Sequence, residues 1–362
     1  METSALFRKF KSRNLELPNR IVMAPMTRRR SPGGIPTPEV ASYYRRRAEG
    51  GVGLIITEGT TIGRPAASNG ADIPNFHSPE SIAGWARVVA EVHSAGGKIA
   101  PQLWHQGAIR APASGPNPDA PSEGPSATPS SLQMDDSDIA DTIEAFASAA
   151  RSAKQIGCDA VEIHGAHGYL VDQFLWASTN HRSDLYGGDE AARTRFAAEL
   201  VRAVRQAVGP DFPVIFRFSQ WKLQDYDARL AATPGELERI LTPLADAGVD
   251  IFHASTRRFW TPEFAGSDLN LAGWAHKLTG LPSISVGSVG LNGDFLDQLM
   301  GESKGSAIGS LDSLARRMEA DEFDLIAVGR ALITDPSWPS KIREGRFDEL
   351  RPFEKSQLSE LV

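Results

Sequence analysis

Cysteine is almost absent from this chain: Cys158 is the only one in 362 residues. A single thiol cannot close an internal disulfide, build a cysteine-rich zinc site or hold a four-cysteine iron–sulfur cluster. Long apolar stretches are missing too. No run approaches the ~18 consecutive apolar residues of a membrane-spanning helix, and residues 1–14 are charged, without the apolar core of a signal peptide. These absences predict a cytoplasmic protein with no membrane partner. Positive charge is in deficit, with 38 Lys and Arg against 45 Asp and Glu for a net charge of −7, which argues against a nucleic-acid footprint. One basic run, Arg28-Arg29-Arg30, reads as a solvated loop.

What the chain does contain is a regular alternation. Eight short apolar runs, at residues 20–25, 53–58, 98–104, 159–164, 213–219, 250–255, 282–287 and 324–329, have the length and β-branched content of buried parallel strands. Helical patterns lie between most of them. Thr37-Pro38-Glu39 and Ser78-Pro79 open two, each with a capping residue followed by Pro. Ile82, Trp85, Val88, Val89 and Val92 form one apolar stripe, and Ile139, Ile143, Phe146, Ala147 and Ala150 another. Thr233-Pro234-Gly235-Glu236 has capping-box spacing ahead of Leu237, Ile240, Leu241 and Leu244. Eight strand–helix repeats predict a (β/α)₈ TIM barrel of α/β class, one domain over residues 1–362, rather than a doubly wound sheet of fewer strands. Residues 291–320 are Gly- and Ser-rich and read as two short helices. Residues 111–138 carry six prolines and no helical or strand period; the spacing predicts a long lid loop after the third strand, because the alternation resumes beyond it.

In such a barrel the reactive groups sit where the strands end. The fourth strand ends at His164 and continues Gly165-Ala166-His167-Gly168-Tyr169, placing two imidazoles and a phenol at the barrel mouth. Imidazole N–H groups stabilise a carbonyl or nitro oxygen that gains charge, and a phenol can act as general acid. A zinc reading of the His164-x-x-His167 spacing lacks a clear third ligand; His253, near the end of the sixth strand, is the only plausible addition. The expectation is therefore no metal. In the fifth strand a period of two puts Ile215, Arg217 and Ser219 on one face. An Arg inside the barrel requires an anionic or carbonyl partner, either a ligand or an internal ion pair with Glu162 or Glu58. Gly287-Ser288 and Gly329-Arg330 end the seventh and eighth strands, where this fold builds phosphate sites.

These residues carry a resemblance. The segments 19–28, Thr57-Glu58-Gly59-Thr60, Gln102-Leu103-Trp104, 164–170, 182–188, Arg217-Phe218-Ser219 and Gly329-Arg330 resemble the Old Yellow Enzyme family of flavin-dependent ene-reductases, in order and over nearly the whole length. The resemblance implies tightly bound, non-covalent FMN and NAD(P)H as reductant. It assigns Pro25, Met26 and Thr27 to the flavin ring, Gly59 and Gln102 to the ring's polar edge, Arg217 to the N1–C2 carbonyl region, and Gly287, Ser288, Gly329 and Arg330 to the phosphate. His164 and His167 would bind the activating oxygen of an electron-poor alkene, and Tyr169 would protonate its alpha carbon. The chain belongs with the His/His variety of the family's substrate-binding pair.

Departures from the pattern leave choices open. The segment Ser255-Thr256-Arg257-Arg258-Phe259-Trp260 is bulky and basic; either Phe259 and Trp260 shape the substrate pocket, with an Arg favouring acidic substrates, or the segment is a surface loop. Trp104 is placed at the pocket border. Arg351-Pro352-Phe353 is a candidate contributor to a neighbouring subunit's pocket, in a protein expected to be a monomer or homodimer. The same barrel can run a desaturation, demethylation or isomerisation instead of alkene reduction. More remote readings are a non-redox aldolase, a metal hydrolase, or a binding protein without catalysis.

Overall fold

Each of the eight apolar runs forms a strand in the computed structural model of the chain, which describes residues 3–291 and 309–362. The strands are β1 (Ile21–Met23), β2 (Leu54–Thr61), β3 (Ile99–Trp104), β4 (Val161–His164), β5 (Val214–Ser219), β6 (Ile251–Ser255), β7 (Ser283–Val286) and β8 (Leu325–Val328). All pair in parallel with their sequence neighbours, and β8 pairs with β1 to close the barrel. The period of two sorts their side chains. In β5, Ile215 joins the apolar packing inside the barrel, while Val214, Phe216 and Phe218 join the layer shared with the helices. Arg217 and Ser219 therefore occupy the inner face, as the alternation predicts.

An antiparallel hairpin, Phe10–Ser12 with Leu15–Leu17, adds Phe10, Leu15 and Leu17 to the interior cluster. Arg13 reaches Asp250 at 2.8 Å, just ahead of β6, so the hairpin covers the end where strands begin. Burying each of those large apolar side chains contributes roughly 1.5–3 kcal/mol. The opposite end, where strands finish, stays open for chemistry.

The helices on the outside follow their capping signals. Thr37 caps α1 (Pro38–Glu49), Ser78 caps α2 (Pro79–Ser94) and Asp135 caps α3 (Asp136–Gln155), each accepting a hydrogen bond from a first-turn N–H. Then come α4 (Glu190–Val208), α5 (Pro234–Ala247), α6 (Leu271–Thr279) and α7 (Gly309–Glu319). Of the two short helices expected within 291–320, α7 is one; residues 292–308 lie outside the described residues. No helix of the described residues is long and apolar enough to cross a membrane.

The Pro-rich loop after β3 is fastened at several points. The Arg110 guanidinium donates to the carbonyls of Ser68, Ala120, Asn117 and Ser114, satisfying backbone groups that have no ladder of their own. Within the loop, Glu123 accepts from Arg64 at 2.5 Å and bonds the buried His105 at 2.8 Å. These contacts tie it to the ends of β2 and β3. Its residues 111–138 contribute nothing to the lining of the cavity at the strand ends.

Candidate active site

The chain leaves β4 through a turn that few sequences tolerate. His167 has φ +65° and Gly168 φ +78°, and a left-handed conformation at a non-glycine residue costs of order 1–3 kcal/mol. At Gly168 a Cβ would fall 2.0 Å from Oε1 of Gln224, so that side chain would have to move to admit any other residue. The turn is held from several sides. The His167 N–H donates to Ser219 Oγ at 2.9 Å, and the His167 carbonyl accepts from Leu223 N at 3.2 Å. The Gly168 N–H donates to Asp172 Oδ2 at 2.7 Å. The other oxygen of Asp172 accepts from Lys222 Nζ at 2.6 Å, and Lys222 also donates to the Ser219 carbonyl. Both Asp172 and Lys222 are fully buried.

This turn brings three functional rings together. His164 lies 5.1 Å from His167 and 5.0 Å from Tyr169, centroid to centroid. Trp104 backs Tyr169 edge-on at 4.9 Å. Burial, then the positive charge of Arg217, holds both imidazoles well below the usual histidine range, so they are neutral at physiological pH. Burial pushes the Tyr169 phenol up to about 12, with Arg217 pulling slightly the other way. Neutral imidazoles and a protonated phenol form a set of hydrogen-bond donors, suited to an oxygen that gains negative charge. His167 Nε2 is 2.7 Å from Ser255 Oγ, which accepts from Arg217 Nη2 at 3.3 Å; with the Ser255 hydroxyl donating to Nε2, the proton of the neutral imidazole sits on Nδ1, where it serves a ligand.

Beside the rings opens a cavity of about 450 Å³, within the range of small-molecule sites. Pro25, Met26, Thr27, His167, Arg217, Gly287, Ser288, Gly329 and Arg330 line it, so these predicted site residues do converge. Arg217 settles the choice left open by its strand position. No ion pair forms with Glu162 or Glu58. Glu162 instead binds Gln102 Nε2 at 2.7 Å and His253 Nδ1 at 2.6 Å, and Glu58 accepts from the Arg28 N–H. The Arg217 Nε is buried without a partner among the described residues. A buried cation with an unused donor at a cavity wall calls for an electron-rich ligand atom. On the cavity wall Gly287 and Ser288 have positive φ, a backbone form from which anion-binding concavities are built. A Cβ at Gly329 would meet nothing closer than Met26 Sδ at 3.4 Å. The unused Arg217 Nε, the positive-φ backbone at Gly287 and Ser288 and the open floor at Gly329 fit a group with a polar ring and a phosphate.

Other predicted residues sit elsewhere. Phe259 is fully buried in the core between barrel and helices and Trp260 packs on it edge-on; neither lines the cavity, which corrects their placement as pocket walls. The backbone around them bends inward, Phe259 N donating to the Gly287 carbonyl and Asn270 donating to the Phe259 carbonyl. Trp104 stands behind Tyr169 rather than on the cavity wall. Gly59 gives that indole its seat, since a Cβ would lie 2.7 Å from the ring. Gln102 spends its amide N–H on Glu162, and neither it nor Gly59 borders the cavity. Phe353 lines the cavity of its own chain. His253 serves Glu162, and among the described residues no three His, Cys, Asp or Glu side chains gather as metal ligands.

Sequence reasoning missed Ser255, Trp221 and Tyr226. Ser255 shares the inner face of β6 with His253 by the period of two, a signal that was available. Trp221 and Tyr226 follow β5 in an irregular segment with no period to read.

Glu58 supplies a pH test of the loop beneath the cavity. It is fully buried, and burial raises its carboxyl to about 7 against the N–H groups of Arg28 and Arg29, which lower it. A folded value above the unfolded 4.5 means stability that is complete below pH 4.5 and lost as pH rises through 7, by ~3 kcal/mol in all. Glu58→Gln, which keeps an acceptor for the Arg28 N–H, is expected to gain stability relative to the parent across that window. Denaturant titrations at pH 4.5, 6 and 8 check it; parallel pH curves for the two proteins refute it.

Residues 5–290 match the family described as NADH:flavin oxidoreductase / NADH oxidase. The chain is 34% identical over 361 residues to an NADH oxidase of Thermoanaerobacter brockii, covering 96% of this chain and 52% of that protein. It is 42% identical over 210 residues to a putative 12-oxophytodienoate reductase-like protein of Arabidopsis thaliana, covering 55% of this chain and 64% of that one. The chain thus spans between half and two thirds of the length of these curated relatives. A solved structure of morphinone reductase in complex with tetrahydroNAD superposes with a TM-score of 0.82 at 28% identity, covering 98% of this chain and 93% of that one.

Proposed function

The chain belongs to the NADH:flavin oxidoreductase / NADH oxidase family, that of Old Yellow Enzyme, and on that premise we propose that it is an FMN-dependent, NAD(P)H-driven reductase of activated carbon–carbon double bonds, acting as one barrel unit on small electron-poor alkenes. The observation that carries the reading is Arg217: a buried guanidinium whose Nε has no partner among the described residues, at the wall of a cavity whose described lining holds no acid.

FMN, when bound, supplies two-electron chemistry, accepting hydride from a nicotinamide and delivering it to an alkene carbon. Pro25, Met26 and Thr27 would border its ring, Arg217 would stabilise negative charge on the ring's carbonyl side, and Gly287, Ser288, Gly329 and Arg330 would hold the phosphate. His164 and His167, neutral at working pH, donate to the carbonyl or nitro oxygen of the acceptor as charge builds there. Ser255 keeps His167 in place from the far side. Tyr169, whose hydroxyl has no hydrogen-bond partner among the described residues, holds a proton for the alpha carbon. The closed packing behind these rings, with Trp104 against Tyr169, keeps bulk water from replacing them as donor.

The test is spectroscopic and then kinetic. Protein incubated with FMN and desalted should stay yellow, bleach anaerobically with NADH or NADPH, and recover its colour on adding N-ethylmaleimide, 2-cyclohexenone or a nitroalkene. Protein that emerges colourless overturns the cofactor assignment. Coloured protein that bleaches but ignores all three acceptors overturns alkene reduction.

A further inference from the structure

Beyond the site described above, the aromatic residues after β5 make a path leading away from it. The His167 imidazole packs on the Trp221 indole at 4.5 Å, with 30° between the planes. Trp221 stacks on Tyr226 at 5.3 Å, nearly parallel at 8°. The guanidinium of Arg257 lies over the Tyr226 ring at 5.8 Å. The indole N–H donates to the Ser255 carbonyl at 3.1 Å, which fixes this wall to the end of β6. His167, Trp221, Tyr226 and Arg257 all line the same cavity. An imidazole that anchors a ligand is thus joined by two stacked rings to a cation.

Charge supports a role for that cation. Among the described residues the cavity is lined by Arg28, Arg217, Arg257, Arg330 and Lys355 and by no Asp or Glu, in a chain of net charge −7. Arg28 spends its guanidinium on the carbonyls of Gln357, Leu358 and Glu360. Arg217 and Arg330 are committed to the flavin in the reading above. Arg257 forms no ion pair among the described residues; of the two acids in an adjoining recess that Arg257 also lines, Glu263 is paired with Arg229 at 2.7 Å, and neither Glu263 nor Asp227 is on the wall of this cavity. A guanidinium stacked on an aromatic face keeps its in-plane donors free for a carboxylate or phosphate.

We propose that Arg257 forms an anion subsite, reached from His167 along Trp221 and Tyr226, which selects ligands with an apolar body and a negatively charged far end. The ligand chemistry is shared by two sources: a carboxylate-bearing alkene acceptor, or the phosphate groups of the nicotinamide dinucleotide that precedes it. The inference rests on the proposed function only in taking His167 as the anchor.

The test uses the full chain loaded with FMN and a matched acceptor pair, N-(carboxymethyl)maleimide and its methyl ester. At low salt the parent should favour the carboxylate by about three- to tenfold in kcat/KM, the range for a charge-assisted contact at a partly exposed site, and should lose that preference as ionic strength rises. Arg257→Ala should abolish the preference without changing the ester, Arg257→Lys should keep part of it, and the control Arg87→Ala, on the outer face of α2, should keep all of it. The nucleotide source is read from the ratio of NADPH to NADH efficiency in the reductive half-reaction; a ratio that falls only in Arg257→Ala supports phosphate as the anion. Calorimetric titration with the two saturated succinimides reads binding without turnover. If the ester is not reduced at all, alkene reduction fails, and the succinimide titration still decides the subsite. Equal carboxylate-to-ester and NADPH-to-NADH ratios in the parent and Arg257→Ala overturn the proposal.

Discussion

Replacing Tyr169 by Phe is expected to slow reoxidation of the reduced protein by an enone ~100- to 10,000-fold, the usual weight of a positioned general acid, while its reduction by nicotinamide stays nearly unchanged. The asymmetry follows from where the proton is needed. Hydride arriving from a nicotinamide requires no proton from the protein, whereas saturating an alkene leaves an alpha carbon that must take one. Tyr169 is the acid of the ring cluster at neutral pH, since burial pushes its phenol up to about 12 and so keeps it protonated, while both imidazoles are neutral and bind through N–H groups that they do not give up. The parent rate of reoxidation should therefore be flat from about pH 6 to 9, with no histidine titration in it. Phe preserves the edge-on packing against Trp104 and the contact with His164, so folding is not at stake. Anaerobic stopped-flow of the two half-reactions is the measurement. Equal slowing of both would remove Tyr169 from the acid role.

The second large effect is expected at Asp172 and Lys222. Both are fully buried, 2.6 Å apart, and each also serves the backbone: Asp172 takes the Gly168 N–H and Lys222 reaches the Ser219 carbonyl. Asp172→Ala strands a buried ammonium and should cost about 3–5 kcal/mol, as should Lys222→Ala, which strands the carboxylate. Replacing both at once, as Asp172→Leu with Lys222→Met, should recover most of that stability, because paired desolvation disappears with the pair. Activity should not recover with it. The Gly168 N–H would then lose its acceptor, and the left-handed turn that points His167 at the cavity would lose one of its supports. Thermal unfolding and kcat/KM, measured on the same three proteins, separate the two roles. A double variant with full activity would make the pair a structural ion pair and nothing more.

Much of this was written in local pattern. Eight apolar runs at strand length with helical stripes between them determine a closed parallel barrel, because backbone periodicity and burial act residue by residue. The strand-end rule singles out His164, His167 and Tyr169, which are covalent neighbours and must emerge together wherever β4 ends. A period of two is enough to turn Arg217 inward. Tertiary structure decided what meets across the barrel mouth. Nothing local links Asp172 to Lys222, His167 to Ser255 and Trp221, or Tyr226 to Arg257; those contacts depend on how the irregular segments after β5 and β6 fold over β4. The same ignorance misplaced Phe259 and Trp260, whose apolar bulk suits a pocket wall and a core equally well. Periodic elements announce themselves because each residue repeats the same geometry. Loop residues take their meaning largely from partners distant in the sequence, which only the folded chain supplies.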